Sequence, residues 1–352
     1  MSEPIHTLPP ISSLGFGKVF CPKHIVSKYK NGKWSEPELI DSIEFKLSLA
    51  AKVFHYSQEV FEGLKAYKSP NSGKVQIFRP DANVARMEKS CEALALPVFP
   101  NNIFQSSLKK LVLINKEWVP DDPGSLYLRP TMIGTSPTLG IGASEECLFF
   151  ILASPVQGYF GNVKTDKPYG VRLIVEQSAI RAAPGGVGFA KTGGNYAASL
   201  KALSTARNAG YNDVIFLDAI EKKYIEELSG MNFMIVEDGV LKTPPLSDTI
   251  LAGVTRDSIL GIAKSKGIKV SEEKLDVFSV CKGIEEGSVT EAFACGTAAA
   301  ISSIKSIDLN DKRYDLYTEN EPGDITCSLY KSLKNIQLNI ELGEFKDWVV
   351  EV

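Results

Sequence analysis

Apolar and polar positions along this chain change period several times, and each change marks an element. "KVQIFRP" (74–80) is a short apolar run that reads as a strand. The next segment, "DANVARMEKSCEALAL" (81–96), has a helical period that puts Val84, Met87, Cys91 and Leu94 on one stripe. "IFQSSLKKLVLINKEWV" (103–119) predicts a second amphipathic helix. "SLYLRPTMIG" (125–134) and "CLFFILASPV" (147–156) predict strands around the loop "TSPTLGIGAS". Further on, "YGVRLIVEQS" reads as a strand, and "NYAASLKALSTARNAG" (195–210) as a helix closed by a C-terminal glycine. "DVIFLDA" and "MNFMIVEDGVLKTP" read as strands, the second with an Asp-Gly hairpin turn. "VTRDSILGIAKSKG" (254–267) predicts a helix whose start places Thr255 in capping position. "CKGIEEGSVTEAFACGTAAAISSI" runs from helix to strand to a turn of small residues.

The elements sort into two α+β regions. Between them lies "QGYFGNVKTDKP" (157–168), rich in Gly, Lys and Asp and poor in large aliphatics, which is the best linker candidate. The expected organisation is therefore an N-terminal domain over 1–156, a linker over 157–168 and a C-terminal domain over 169–352. A length of 352 residues fits two cores better than one.

Composition narrows the function classes by exclusion. A net charge of −3 with no basic block argues against nucleic acid or an anionic membrane as partner. The longest apolar run, Cys147 to Val156, is about half of the ~20 residues a membrane-spanning helix needs. "MSEPIHTLPP" has neither a secretory apolar core nor an organelle-type pattern. Six cysteines are scattered without a C-x-x-C pair, as expected of reduced thiols in a cytoplasmic protein. The three histidines have no metal-ligand spacing, so neither a metal site nor a histidine triad is expected.

The candidate chemistry starts at "PGGVGFAKTGGNYAASLKA" (184–202), where Lys191 stands inside a run of five glycines and Tyr196 follows five residues later. Such stretches are usually flexible surface loops. An amine held in a constricted, desolvated site can instead attack a carbonyl and hold it as a Schiff base. A carboxylate and an anion cradle elsewhere would point to pyridoxal phosphate, whose ring nitrogen needs an acid partner and whose phosphate needs N–H donors. "YIEELSGMNF" offers Glu226 and Glu227 just before a strand, "GVTRDSILGIAK" offers a helix start, and "ACGTAAA" offers a small-residue turn. Taken singly these are more often a solvated pair, a simple cap and a loop.

Taken together and in order, "FGKVF", "HYSQEVFEGLKAYK", "FRPDANVARM", "SLYLRPTMIGTSPTLGIG", "GGVGFAKTGGNYAAS", "YIEELSGMNF", "LAGVTRDSI" and "EAFACGTAAAI" resemble the branched-chain amino-acid aminotransferases, pyridoxal-phosphate enzymes of fold type IV. The likeness runs nearly end to end and favours the longer subgroup. It implies an α+β, two-domain fold of the D-amino-acid aminotransferase type, with a small N-terminal and a larger C-terminal domain. The cofactor it implies is pyridoxal 5′-phosphate.

Roles implied by the resemblance fall on particular residues. Lys191 holds the cofactor and shuttles a proton at the substrate Cα. Tyr196 bonds the ring oxygen, Glu227 faces the ring nitrogen and Leu251 packs under the ring. Arg86, Val254, Thr255 and Thr297 hold the phosphate, whereas Arg79 is structural. Phe16, Tyr56, Phe61 and Tyr127 line the substrate pocket. Thr297 and Ala298 take the α-carboxylate, and Arg129 the distal carboxylate of glutamate. Leu139 and Ile141 belong to a loop that reaches a neighbouring subunit, implying a homodimer.

Two departures stand out. Gly230 occupies a position where many relatives carry threonine, and "TAAAISS" lacks the redox C-x-x-C of mammalian members. The expected activity is amino transfer between leucine, isoleucine or valine and 2-oxoglutarate. The alternatives are a D-amino-acid aminotransferase, an aminodeoxychorismate lyase, or a non-catalytic binding protein on the same fold. "YLRPTMIG" with its aliphatic loop argues against the first two, and the presence of both Lys191 and Glu227 against the third.

Overall fold

A computed structural model describes residues 7–157, 167–317 and 321–352, so residues 158–166 of the expected linker lie outside the described residues. The chain divides into two units. One holds Met1–Lys164, Ala190–Gly193 and Asn335–Val352; the other holds Thr165–Phe189 and Gly194–Lys334.

In the first unit the strands are β1 (His24–Lys30), β2 (Lys33–Trp34), β3 (Glu38–Ile40), β4 (Glu59–Phe61), β5 (Leu64–Lys68), β6 (Val75–Phe78), β7 (Ser125–Gly134) and β8 (Cys147–Val156). Its helices are α1 (Ile11–Leu14), α2 (Lys52–Tyr56), α3 (Pro80–Ala93) and α4 (Asn101–Ile114). The sheet is built on the long β7–β8 hairpin, whose ten residue pairs run from Ser125↔Val156 to Gly134↔Cys147. Both strands coincide with the segments that periodicity predicts. The helix expected over 103–119 starts two residues earlier and stops at Ile114. Asn115 turns its amide back to the Leu111 carbonyl, and a 3-10 turn over Lys116–Trp118 follows.

On α3 the expected stripe is buried at Val84, Met87 and Cys91. Around it, Phe99 stacks on Phe149 at 4.1 Å, with Trp34 and Phe104 edge-on to this pair. The chain's last residues complete this sheet: Val349–Glu351 pairs with β6, and Gln76 bonds the Gln337 carbonyl. The first unit thus reclaims 335–352, which differs from an uninterrupted domain over 169–352.

His24 of β1 is fully buried, and its Nδ1 accepts the Ala153 N–H at 3.2 Å. Burial pushes its pKa down to about 4, so the neutral ring belongs to the folded state. The unfolded chain takes up this proton first, near pH 6.5, so stability is full above that pH and declines as pH falls toward 4. The expected loss between pH 7.5 and 5 is about 2 kcal/mol. His24→Asn, which keeps an acceptor for Ala153, should remove this part of the slope in denaturant titrations at the two pH values. An unchanged slope would show that His24 does not cause it.

The second unit contains β9 (Tyr169–Glu176), β10 (Asp213–Leu217), β11 (Tyr224–Leu228), β12 (Asn232–Glu237), β13 (Val240–Thr243), β14 (Val270–Glu272), β15 (Leu275–Asp276), β16 (Val289–Gly296), β17 (Ala300–Leu309) and β18 (Lys312–Asp315). Its helices are α5 (Gly193–Asn208), α6 (Val254–Ser265), α7 (Val277–Glu286) and α8 (Asp324–Gln337). Strands β12, β16, β17, β9, β10 and β11 pair in succession, and β11 pairs back to β12, so six strands close a ring. Closure removes the free sheet edges that an open arrangement would leave. The Asp-Gly turn is present between β12 and β13, with Asp238 and Gly239 both at positive φ, as a two-residue hairpin of this twist requires.

One local expectation is corrected and a second is extended. The cap of α6 is Gly253, and Thr255 is the helix's second residue, because the chain turns into the helix one residue before any hydroxyl is available. Glu226 and Glu227 precede the strand β12 as expected, but they themselves lie in a further strand, β11, where both are buried. Helix α8 is an element that the sequence reading does not include, although Leu329, Leu333 and Ile336 make a buried stripe on it. Its first N–H groups are capped from β16, since Glu291 accepts from Ile325 and Thr326. No helix among the described residues is long and apolar enough to cross a membrane.

Candidate active site

In the first unit, Lys191 is fixed by its backbone. Its carbonyl accepts the Phe61 N–H at 2.9 Å, and its own N–H donates to Ser90 Oγ at 3.0 Å. The segment is therefore tied by its backbone to β4 on one side and to α3 on the other. Thr192 Oγ1 donates to the Glu59 carbonyl at 2.8 Å, and the Gly193 N–H donates to Glu59 Oε1. A side chain at 193 would overlap the Glu59 carboxylate, which is why glycine stands there. The Lys191 amine lies 4.6 Å from the Phe61 ring centroid.

Antiparallel pairing of β4 with β7 sets Phe61 opposite Thr131 and Glu59 opposite Ile133. Strand alternation puts Arg129 on that same face, with its guanidinium 4.7 Å from the Phe61 ring and 5.2 Å from the Tyr127 ring. Arg129 Nη2 donates to the Tyr127 hydroxyl at 2.8 Å, and Phe16 meets the Tyr127 ring at 4.9 Å. Phe16, Phe61, Tyr127, Arg129 and Lys191, all expected at the site, are thereby linked in one chain of contacts. Tyr56 and Leu139 form a separate pair through the Tyr56 hydroxyl and the Leu139 carbonyl. Lys52 secures the same loop by donating to the Gly140 and Gly142 carbonyls at 2.7 and 2.8 Å. Leu139 and Ile141 are left 62% and 90% exposed.

Arg86 is buried and forks onto Glu62, with Nε to Oε1 at 2.7 Å and Nη2 to Oε2 at 2.8 Å. Asn83 adds a third donor to Glu62. Burial alone would raise the Glu62 pKa, but Arg86, Lys191 and Asn83 hold it below the ordinary carboxylate value. Arg79 has the structural place expected for it, its N–H on the Trp348 carbonyl and its guanidinium over the Trp348 ring.

In the second unit, Glu227 is buried and ion-paired with Arg181, itself buried. Glu227 Oε2 accepts Asn232 Nδ2 and its Oε1 accepts the Leu251 N–H, both at 3.1 Å. Asn232 is its register partner across β11 and β12. Two N–H donors and a guanidinium therefore hold this carboxyl as an anion, at a position next to Leu251. Its neighbour Glu226 differs: burial raises its pKa, and Thr249 Oγ1 donates to it. No side chain caps α6, so Val254 and Thr255 sit in a first turn whose N–H groups point out of the helix end. Tyr196 is on α5, and its ring edge lies 3.4 Å from where a side chain at Gly230 would begin. Thr297 and Ala298 form the turn between β16 and β17. Just before it, Cys295 is fully buried, and burial raises its thiol to about 12, well away from thiolate chemistry.

Sequence reasoning misses Glu59, Glu62, Arg181 and Asn232. Glu59 and Glu62 stand inside "HYSQEVFEGLKAYK", where charged residues in a short apolar strand are a usable signal. Arg181 is a lone cation among small residues in "SAIRAAPGG", and nothing local marks its partner Glu227 far along the chain.

The family model for amino-transferase class IV matches residues 59–307, and the chain belongs to that family. The chain is 42% identical over 346 residues to "Branched-chain-amino-acid transaminase 1" of Bacillus subtilis, covering 98% of this chain and 96% of that protein. Among solved structures, the branched-chain aminotransferase of Thermoproteus uzoniensis with norvaline superposes with a TM-score of 0.76 at 28% identity, covering 93% and 99% of the two chains. The T.th. branched-chain amino acid aminotransferase with pyridoxamine 5′-phosphate gives 0.76 at 26% identity, covering 95% and 99%.

Proposed function

We propose that this chain is a pyridoxal-phosphate-dependent aminotransferase. It moves the amino group between L-leucine, L-isoleucine or L-valine and 2-oxoglutarate, giving branched 2-oxo acids and L-glutamate. The observation that carries the reading is the Glu227 carboxylate, buried and kept anionic by Arg181, Asn232 and the Leu251 N–H, in a chain similar over nearly its whole length to branched-chain transaminases.

The residues present fit pyridoxal phosphate. An anionic carboxylate suits a protonated ring nitrogen, an uncapped helix start suits a phosphate, and a strand-held amine suits the aldehyde. When bound, the cofactor supplies an electron sink for the electrons released at the substrate Cα. Lys191 would hold it through Nζ and, once displaced by the substrate amine, would be the base positioned to take the proton from the substrate Cα. Glu227 would face the ring nitrogen and keep it charged, Tyr196 would bond the ring oxygen and Leu251 would lie against the ring. By the resemblance, Arg86 of the first unit and the Val254 and Thr255 N–H groups and Thr297 of the second would serve the phosphate; the Glu62 pair takes two of the five guanidinium donors of Arg86. Phe16, Tyr56, Phe61 and Tyr127 shape an apolar pocket, Thr297 and Ala298 take the α-carboxylate, and Arg129 takes the distal carboxylate of glutamate.

We assign the exposed Leu139 and Ile141, together with the exposed Phe54 of α2, to contact with a second copy of the chain in a homodimer. A cytoplasmic setting belongs to the same reading, supported by six free cysteines.

The test follows the visible absorption of the purified protein. A yellow band is expected that bleaches with L-leucine and returns with 2-oxoglutarate. A protein without the band, or with one that responds to D-leucine and not to L-leucine, would overturn the reading.

A further inference from the structure

Two cations share one aromatic ring in the first unit: the Lys191 amine at 4.6 Å and the Arg129 guanidinium at 4.7 Å from the Phe61 centroid. Glu59 is the carboxylate on the same strand face, two residues before Phe61 on β4. Glu62, one residue after Phe61, is forked by Arg86 and bonded by Asn83, with Lys191 also acting on it. The position of Glu59 is built into the fold. Its Oε1 receives the Gly193 N–H, its carbonyl receives Thr192 Oγ1, and the carboxylate fills the space that a side chain at 193 would need.

A pocket that accepts leucine and glutamate in turn has a charge problem. Glutamate brings a carboxylate to Arg129, whereas leucine brings methyl groups and strips water from a cation that then lacks an anion. Resting on the branched-chain transamination reading above, we infer that Glu59 is the resident counter-ion of this pocket. It balances Arg129 while an apolar side chain is bound and competes with the distal carboxylate when the substrate is dicarboxylic. Glu59 thereby sets the discrimination between the two substrate classes. Burial holds the pKa of Glu59 above the ordinary carboxylate value, with the Gly193 N–H, Arg129 and Lys191 opposing that rise.

The experiment uses the cofactor-loaded enzyme and follows the amino-acid half-reaction with L-leucine and with L-glutamate separately. Glu59→Gln keeps an oxygen acceptor for Gly193 and removes only the charge. KM for glutamate should fall and KM for leucine should rise, shifting their ratio by about tenfold, while the maximal rates stay within about threefold. In an Arg129→Met background the same substitution should leave the ratio unmoved. Equal changes for both substrates, no change, or a shift that persists without Arg129 would overturn the inference. If Glu59→Gln does not fold, Glu59→Ala serves with the same expected direction. A wild-type enzyme that never bleaches with leucine indicts the functional reading instead.

Discussion

Lys191→Ala should abolish turnover, with a fall of at least about 10⁴-fold in the leucine half-reaction, because one substitution removes both the covalent amine and the proton carrier. The fold should tolerate it. The contacts that seat this residue are its carbonyl to the Phe61 N–H and its N–H to Ser90 Oγ, and alanine keeps both. The variant should therefore unfold at nearly the wild-type temperature and, on the proposed reading, still take up cofactor without a covalent link. Its spectrum should lack the band that leucine bleaches and 2-oxoglutarate restores. Measured leucine turnover above about one percent of wild type would assign the proton transfer to another group.

Glu227→Gln carries the second large effect, on stability and on rate together. The amide keeps the shape of the carboxylate but withdraws the charge facing Arg181, which is buried and otherwise bonded to the Thr249 and Gly188 carbonyls. Leaving a buried cation without its anion costs about 3–5 kcal/mol, so the apoprotein should melt several degrees lower. With the ring nitrogen no longer held charged, the leucine half-reaction should slow by about 10²–10³-fold. Reconstitution with an N-methylated cofactor, whose ring nitrogen is permanently charged, should recover part of the rate and none of the stability. Recovery of neither would confine Glu227 to a structural role.

Much of the frame was legible in the order of residues. Strands over 125–134 and 147–156 have the bounds that their apolar pattern marks, because pairing with a neighbour in a two-strand hairpin needs no distant information. The stripe of α3 and the Asp-Gly turn were legible for the same reason. Legibility ended where capping came from elsewhere. Thr255 looked like a cap because hydroxyls usually are, yet Gly253 holds the place, and α8 is capped by Glu291 from another strand.

The sequence by itself determined the reactive parts: a lysine between glycines, a tyrosine five residues on, an acidic pair, and blocks in the order of the class IV aminotransferases. The resemblance already pointed to Glu227, but only the tertiary structure decided what anchors it. Glu227 has Arg181 and its register partner Asn232, while Glu226 has Thr249. It also decided that Arg86 pairs with Glu62 and that Glu59 accepts from Gly193, 134 positions away. The reason is physical. A side chain's charge state and orientation depend on the groups facing it, and strand register, not separation along the chain, selects those groups.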